Sequence, residues 1–141
     1  MIDNYFLLTK TANEFTTYIG IDSPQFASSP DHFNKYSKLI IYQFNSVGYR
    51  DYEWPEDVRS AIWAVGDSFT VGLGQPFEHT WPQLLQQRVD TRVINVSMNG
   101  ASNDWIARKS NYILSNFEPT AVLLQWSYMH RREHCDLTRC D

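Results

Sequence analysis

The stretch WAVGDSFTVGLG, residues 63–74, breaks an apolar run into Gly66, Asp67 and Ser68. A strand that feeds straight into such a turn lifts a hydroxyl clear of the backbone, which is the setting of a serine nucleophile in acyl transfer. A serine hydroxyl attacks poorly until a neighbouring base takes its proton, so the remaining question is what could serve it. Each residue also has a plainer role: Ser68 can cap a helix or form a turn, and Asp67 can accept the turn's N–H groups. Asn95 and Asn99 can satisfy loop backbone. The segment MHRREHCDLTRC carries His130, His134, Cys135 and Cys140. On a helix His130 and His134 would share a face and could hold zinc with a thiolate. Their spacing follows no strong zinc template, and the segment is a polar terminus. It is therefore read as solvated, its cysteines as free thiols with a small loop disulfide as the lesser alternative, and no metal or cofactor is expected.

The elements that must position Ser68 begin near Ser60. AIWAV (61–65) is a short continuous apolar run ended by glycine, as in a buried parallel strand. In TWPQLLQQRV, Trp81, Leu84, Leu85 and Val89 recur at helical spacing, with Thr80 as N-cap and Pro82 in the first turn. RVINV (92–96) is a second strand. After the loop SMNGASN, Asp104 stands as N-cap of WIARKSNYILSNF, whose Trp105, Ile106, Tyr112, Ile113 and Phe117 form an apolar stripe. TAVLLQW (120–126) is a third strand. Strands alternating with helices over short connections predict an α/β domain with a parallel sheet covered by helices. In such sheets ligands meet the carboxyl ends of the strands, here the loops GDSFTVGLG, SMNGASND and SYMHRRE. Trp63, Trp81, Trp105 and Trp126 are read as core residues.

VGDSFTVGLG after its strand resembles the first block of the SGNH hydrolases, the GDSL-type esterases and lipases, in which the serine is the nucleophile; Ser68 matches it. INVSMNGAS resembles the second block, an asparagine followed five residues later by a glycine whose backbone N–H helps form the oxyanion hole; Gly100 matches that glycine. An oxyanion needs donors aimed at it in advance, and glycine admits close backbone approach. The resemblance covers roughly residues 60–126 and implies a three-layer, flavodoxin-like parallel sheet. It departs at the third block, usually Gly-x-Asn-Asp. Alignment on the third strand puts Ser127 at the glycine, Met129 at the asparagine and His130 at the aspartate. A thioether cannot donate a hydrogen bond, so Asn99, Asn103 or His130 supplies the second donor or the hole is incomplete. The family's Asp-x-x-His block, which carries the general base, is not found. The chain is accordingly read as part of a longer hydrolase or as a shortened relative with little triad-dependent activity. FNSVGYR resembles a preamble of some phage and bacterial SGNH-like proteins, and Arg131, Arg132 and Glu133 resemble an Arg-x-Glu that replaces the third block in such relatives.

Residues 1–57 read as an N-terminal extension packing on the domain, 58–141, with KLIIYQF as a strand and Asn45, Ser46 and Gly48 as a turn. The 141 residues, 43% hydrophobic and 15% aromatic, suffice for one core. With 12 basic against 16 acidic residues, a net of -4 and no charged tail, neither nucleic acid nor an anionic membrane is expected as partner. No apolar run is long enough for a signal sequence or a membrane span, which predicts a cytoplasmic protein, and the resemblance to phage SGNH-like proteins implies virion association as the alternative. Three function classes follow. One is a serine hydrolase of a small ester or acylated glycan. Another is a silent SGNH-like module binding a glycan or protein. The weakest is an anion site at the Gly-rich turn 66–74. Exposed sheet edge adds an expectation of self-association.

Overall fold

Val47, Tyr49 and Val58, which precede the regular part of the sequence, lie in the same buried cluster as Trp63, Ile94 and Ile106. The computed structural model describes residues 15–18 and 40–133. Two short strands, β1 (Phe15–Tyr18) and β2 (Ile40–Gln43), pair antiparallel, with Ile40 and Tyr42 of β2 buried and Ile41 and Gln43 exposed. The domain proper runs β3 (Ile62–Gly66), α1 (Ser68–Val71), α2 (Trp81–Gln86), β4 (Val93–Ser97), α3 (Asn103–Asn116) and β5 (Ala121–Leu124), with a single 3₁₀ turn at Phe77–His79.

The sheet is parallel, in the order β4-β3-β5, with Ile62 beside Val93 and Ala121. This is an α/β fold, and the order is that of the first three strands of a doubly wound sheet of the 2-1-3 type. Continuous apolar runs make these strands because β3 and β4 are covered on both faces: Trp63, Ala64, Val65, Val93, Ile94 and Val96 are all buried. Each large side chain so buried contributes about 1.5–3 kcal/mol. The outer edge of β4 is closed by side chains, Gln86 Oε1 accepting from Val93 N–H at 2.7 Å and Asp51 Oδ2 from Asn95 N–H at 2.9 Å. On β5, by contrast, Leu123 and Leu124 are each 39% exposed.

The helices form where expected, with altered details. α3 buries Trp105, Ile106 and Ile113, and Phe117 just beyond it, the predicted stripe. Its N-cap is Ser102, not Asp104: Ser102 Oγ accepts from Trp105 N–H at 3.0 Å, and Asp104 sits in the first turn. α2 buries Pro82 and Gln83, whereas Leu84 is exposed, because the helix ends after six residues and presents a narrower face than the ten-residue pattern suggested. Thr80 precedes α2, yet its hydroxyl donates back to Phe77 O at 2.8 Å and caps no N–H of that helix. Of the four tryptophans read as core, Trp63 and Trp105 are buried and Trp126 is 53% exposed.

Candidate functional site

Three loops leave the carboxyl ends of β4, β3 and β5 side by side. Ser68 follows β3 as the first residue of α1, a single helical turn. Asp67, fully buried, is the N-cap: its Oδ1 accepts from Phe69 N–H at 3.0 Å and its Oδ2 from Ser127 Oγ–H at 2.7 Å. Asp67 thus ties the β3 loop to the β5 loop. Ser68 is half-buried, and among the described residues its hydroxyl makes no hydrogen bond. Its N–H, at the start of the helix, has no protein acceptor among the described residues, as expected for the first turn.

Gly66 is glycine for want of space. A Cβ there would lie 2.0 Å from Thr70 Oγ1 and 2.8 Å from Thr70 Cβ. Thr70 is fixed in place, its hydroxyl donating to Gln125 Oε1 at 2.7 Å and accepting from Trp81 Nε1–H at 3.2 Å. Gly100 is different. Its φ is 76°, in the left-handed region that side chains disfavour, but a Cβ there would touch nothing within 4 Å. The turn therefore requires glycine for its backbone angle, where close approach was the sequence-based reason. Gly100 N–H, like that of Ser68, has no protein acceptor among the described residues. Asn99, beside it, is exposed.

Between the ends of β3 and β5 lies a cleft of about 270 Å³ lined by Asp67, Phe69, Gln125, Trp126, Ser127 and Tyr128. This is where strand order reverses, the place at which open α/β sheets bind ligands. Its rim is aromatic: Phe69 meets Tyr128 edge-on at 6.4 Å, and Trp126 stands exposed. Met129, aligned with the family's oxyanion asparagine, is 92% exposed. His130 stacks on Tyr128 at 5.8 Å and has no hydrogen bond or ion pair among the described residues, so it is not joined to Ser68. Asn103 is committed elsewhere: its Nδ2 donates to Ser127 O and Tyr128 O, and its Oδ1 accepts from Ser127 N–H at 2.8 Å.

The β5 loop is fastened to α3 by charge. Asp104 accepts from Glu133 N–H at 2.9 Å and pairs with Arg132 at 2.9 Å, while Glu133 pairs with Arg108. The Glu133 N–H, then Arg132, holds the Asp104 carboxyl below the usual range; the Arg108 hydrogen bond does the same for Glu133. Arg131 Nη1 lies 3.8 Å from Asp67 Oδ2. His134, Cys135 and Cys140 lie outside the described residues, and those described hold no cluster of three or more metal-ligating side chains.

Sequence reasoning placed a turn at Asn45, Ser46 and Gly48, and the turn is there; it missed the buried network that this turn leads into. Asn45 Oδ1 accepts from the N–H groups of Val47, Gly48 and Tyr49 at 3.1, 3.0 and 3.0 Å, bending the chain so that Arg50 and Asp51 enter the interior. Arg50, 1% exposed, donates to Val71 O, Gly72 O, Gln75 O and Ile41 O and lies 4.1 Å from the centre of the Tyr42 ring. Burial pulls its pKa down to about 10, which leaves it charged at neutral pH. Asp51 pairs with Arg92 at 2.9 Å; burial pushes its carboxyl up against that pairing. Asn95 joins the two halves, its Nδ2 donating to Arg50 O at 3.1 Å and Thr70 O at 3.4 Å and its Oδ1 accepting from Ser97 Oγ–H at 2.6 Å. The available signal was a charged pair, Arg50-Asp51, enclosed by Tyr49, Tyr52 and Trp54.

No protein-family model matches the chain, and no curated protein matches it. No described helix is long and apolar enough to cross a membrane.

Proposed function

We propose that the chain carries an SGNH-type serine hydrolase site in which Ser68 attacks an acyl or acetyl ester, that of a small ester or an acylated glycan. The observation that carries this reading is the disposition around Ser68. Its hydroxyl is unengaged at the carboxyl end of the central strand. Two backbone N–H groups, of Ser68 and Gly100, have no protein acceptor among the described residues and follow adjacent strands, and the neighbours of Ser68 on either side, Asp67 and Phe69, line a cleft. In attack, the Ser68 Oγ–C bond forms as the carbonyl π bond opens onto oxygen. The N–H groups of Ser68 and Gly100 receive that oxyanion, and the Ser68 proton must pass to a base before the alkoxide leaves.

A second reading is a silent module that binds a glycan or protein in the same cleft. It is favoured by the absence, among the described residues, of any base hydrogen-bonded to Ser68, and by the exposed rings of Phe69, Trp126 and Tyr128. Hydrolysis of p-nitrophenyl acetate by the chain and by Ser68→Ala, with fluorophosphonate labelling read by mass spectrometry, separates the two. Turnover lost in Ser68→Ala, with the label on Ser68, supports the hydrolase. Equal rates and no label at Ser68 refute it.

A further inference from the structure

We propose that Arg50 is a positioning residue for Ser68, holding the nucleophile turn in its conformation from behind. The inference rests on the reading of Ser68 as nucleophile. Helix α1 is one turn long, too short to persist through its own hydrogen bonds. Its last carbonyls have no partner within the helix, and a buried guanidinium takes them: Nη1 donates to Val71 O at 3.0 Å and Gly72 O at 2.7 Å. Nη2 reaches on to Gln75 O at 2.9 Å and across to Ile41 O at 3.2 Å, so one side chain joins β2 to both ends of the loop that follows α1. A cation at the C-terminal end of a helix is also well placed against its dipole.

Ser68 stands at the opposite end of this turn, its carbonyl accepting from Gly72 N–H at 3.0 Å and Leu73 N–H at 3.1 Å. Fixing Val71 and Gly72 therefore fixes the direction of the Ser68 N–H and hydroxyl. Arg50 itself lies behind the turn, away from the cleft residues, and is given no part in proton transfer. Tyr42 completes the clamp: its ring lies under the guanidinium, and its hydroxyl accepts from Gly74 N–H at 2.8 Å.

The experiment uses the whole chain, a fluorophosphonate probe, and the variants Arg50→Met and Arg50→Lys, each first shown to be folded by a urea melt. The maximal labelling rate of Ser68 should fall at least about 10-fold in Arg50→Met, with the half-saturating probe concentration unchanged within about twofold. Arg50→Lys, a point charge that cannot fork to four carbonyls, should recover part of that rate. A rate that falls only with the unfolded fraction overturns the proposal. If the unmodified chain takes no label, the nucleophile reading has failed, and the clamp is judged alone by amide exchange. Exchange at Val71, Gly72 and Leu73 should quicken at least about 10-fold in either variant while Ile106 and Phe117 hold. Equal quickening at both places refutes the clamp. Should Arg50→Met not fold, Arg50→Lys carries both measurements.

Discussion

Gly66→Ala should destabilise the chain by about 3 kcal/mol, but by only about 1 kcal/mol where Thr70 is already alanine. The new methyl would stand 2.0 Å from Thr70 Oγ1, so one of two things must give. If the backbone yields, the cost is that of an overpacked core, about 1–3 kcal/mol, at the upper end because Thr70 is fully buried. If Thr70 rotates, it forfeits the bonds to Gln125 and Trp81, at about 1 kcal/mol each. Thr70→Ala alone loses the same two bonds, about 2 kcal/mol. In the double variant the hydroxyl is already gone, and the 2.8 Å approach of the two Cβ positions and the 3.2 Å approach to Gln125 Cβ are left to relax. Its cost should then be about 3 kcal/mol where simple addition gives about 5, a coupling of about 2 kcal/mol. Urea titration followed by tryptophan fluorescence measures each value; at a slope of about 2 kcal/mol per molar, the coupling appears as about 1 M in the midpoint. Additivity within about 0.5 kcal/mol would refute the close approach of residues 66 and 70 and the tight turn inferred from it.

Two further outcomes follow from buried and charged groups. Tyr49 is fully buried, stacks on Trp54 at 5.4 Å, and its hydroxyl has no hydrogen-bond partner among the described residues. Tyr49→Phe should therefore raise stability by about 1 kcal/mol, some 2–4 °C in a thermal melt, and a lower Tm would contradict that environment. Asp104 and Glu133 are depressed in the folded state, so the stability they lend is present above their unfolded values near 4 and lost as pH falls through the folded ones. Exchange at the Glu133 amide should accordingly quicken below about pH 4, ahead of the β3–β4 amides. Asp51 has the opposite sign: its raised carboxyl favours the fold at low pH and withdraws that contribution as pH rises through its folded value, so loss of sheet protection first would count against the assignment.

The strands of the sheet were legible because each is an apolar run closed by glycine or polar residues, and in β3 and β4 burial on both faces leaves no alternation to misread. Helix α3 was legible for the same kind of reason, its stripe being long enough to fix a face. Its cap was misplaced by two residues because Ser102, Asn103 and Asp104 are all good caps and only geometry chooses among them. Trp126 was misassigned because an aromatic at the end of an apolar run signals core, although β5 ends at Leu124 and its last bond to β3 comes from the Gln125 N–H. The interior placement of Arg50 and Asp51 was not read from the sequence. Composition places charged residues outside, and nothing local shows that carbonyls from positions 41, 71, 72 and 75 converge on one guanidinium.

That convergence changes what a Gly-Asp-Ser triplet means in a sequence. The triplet supplies a glycine that admits Thr70, an aspartate that caps one turn and reaches the next loop, and a serine left with its hydroxyl unengaged. None of these holds a four-residue helix against its nucleation cost. The holding is done by Asn45, which turns the chain inward, by Arg50, which takes the helix carbonyls, and by Asp51 and Asn95, which close the β4 edge beside it. In this chain the Gly-Asp-Ser after β3 is completed by a second segment, an Asx turn leading into the Arg50-Asp51 pair.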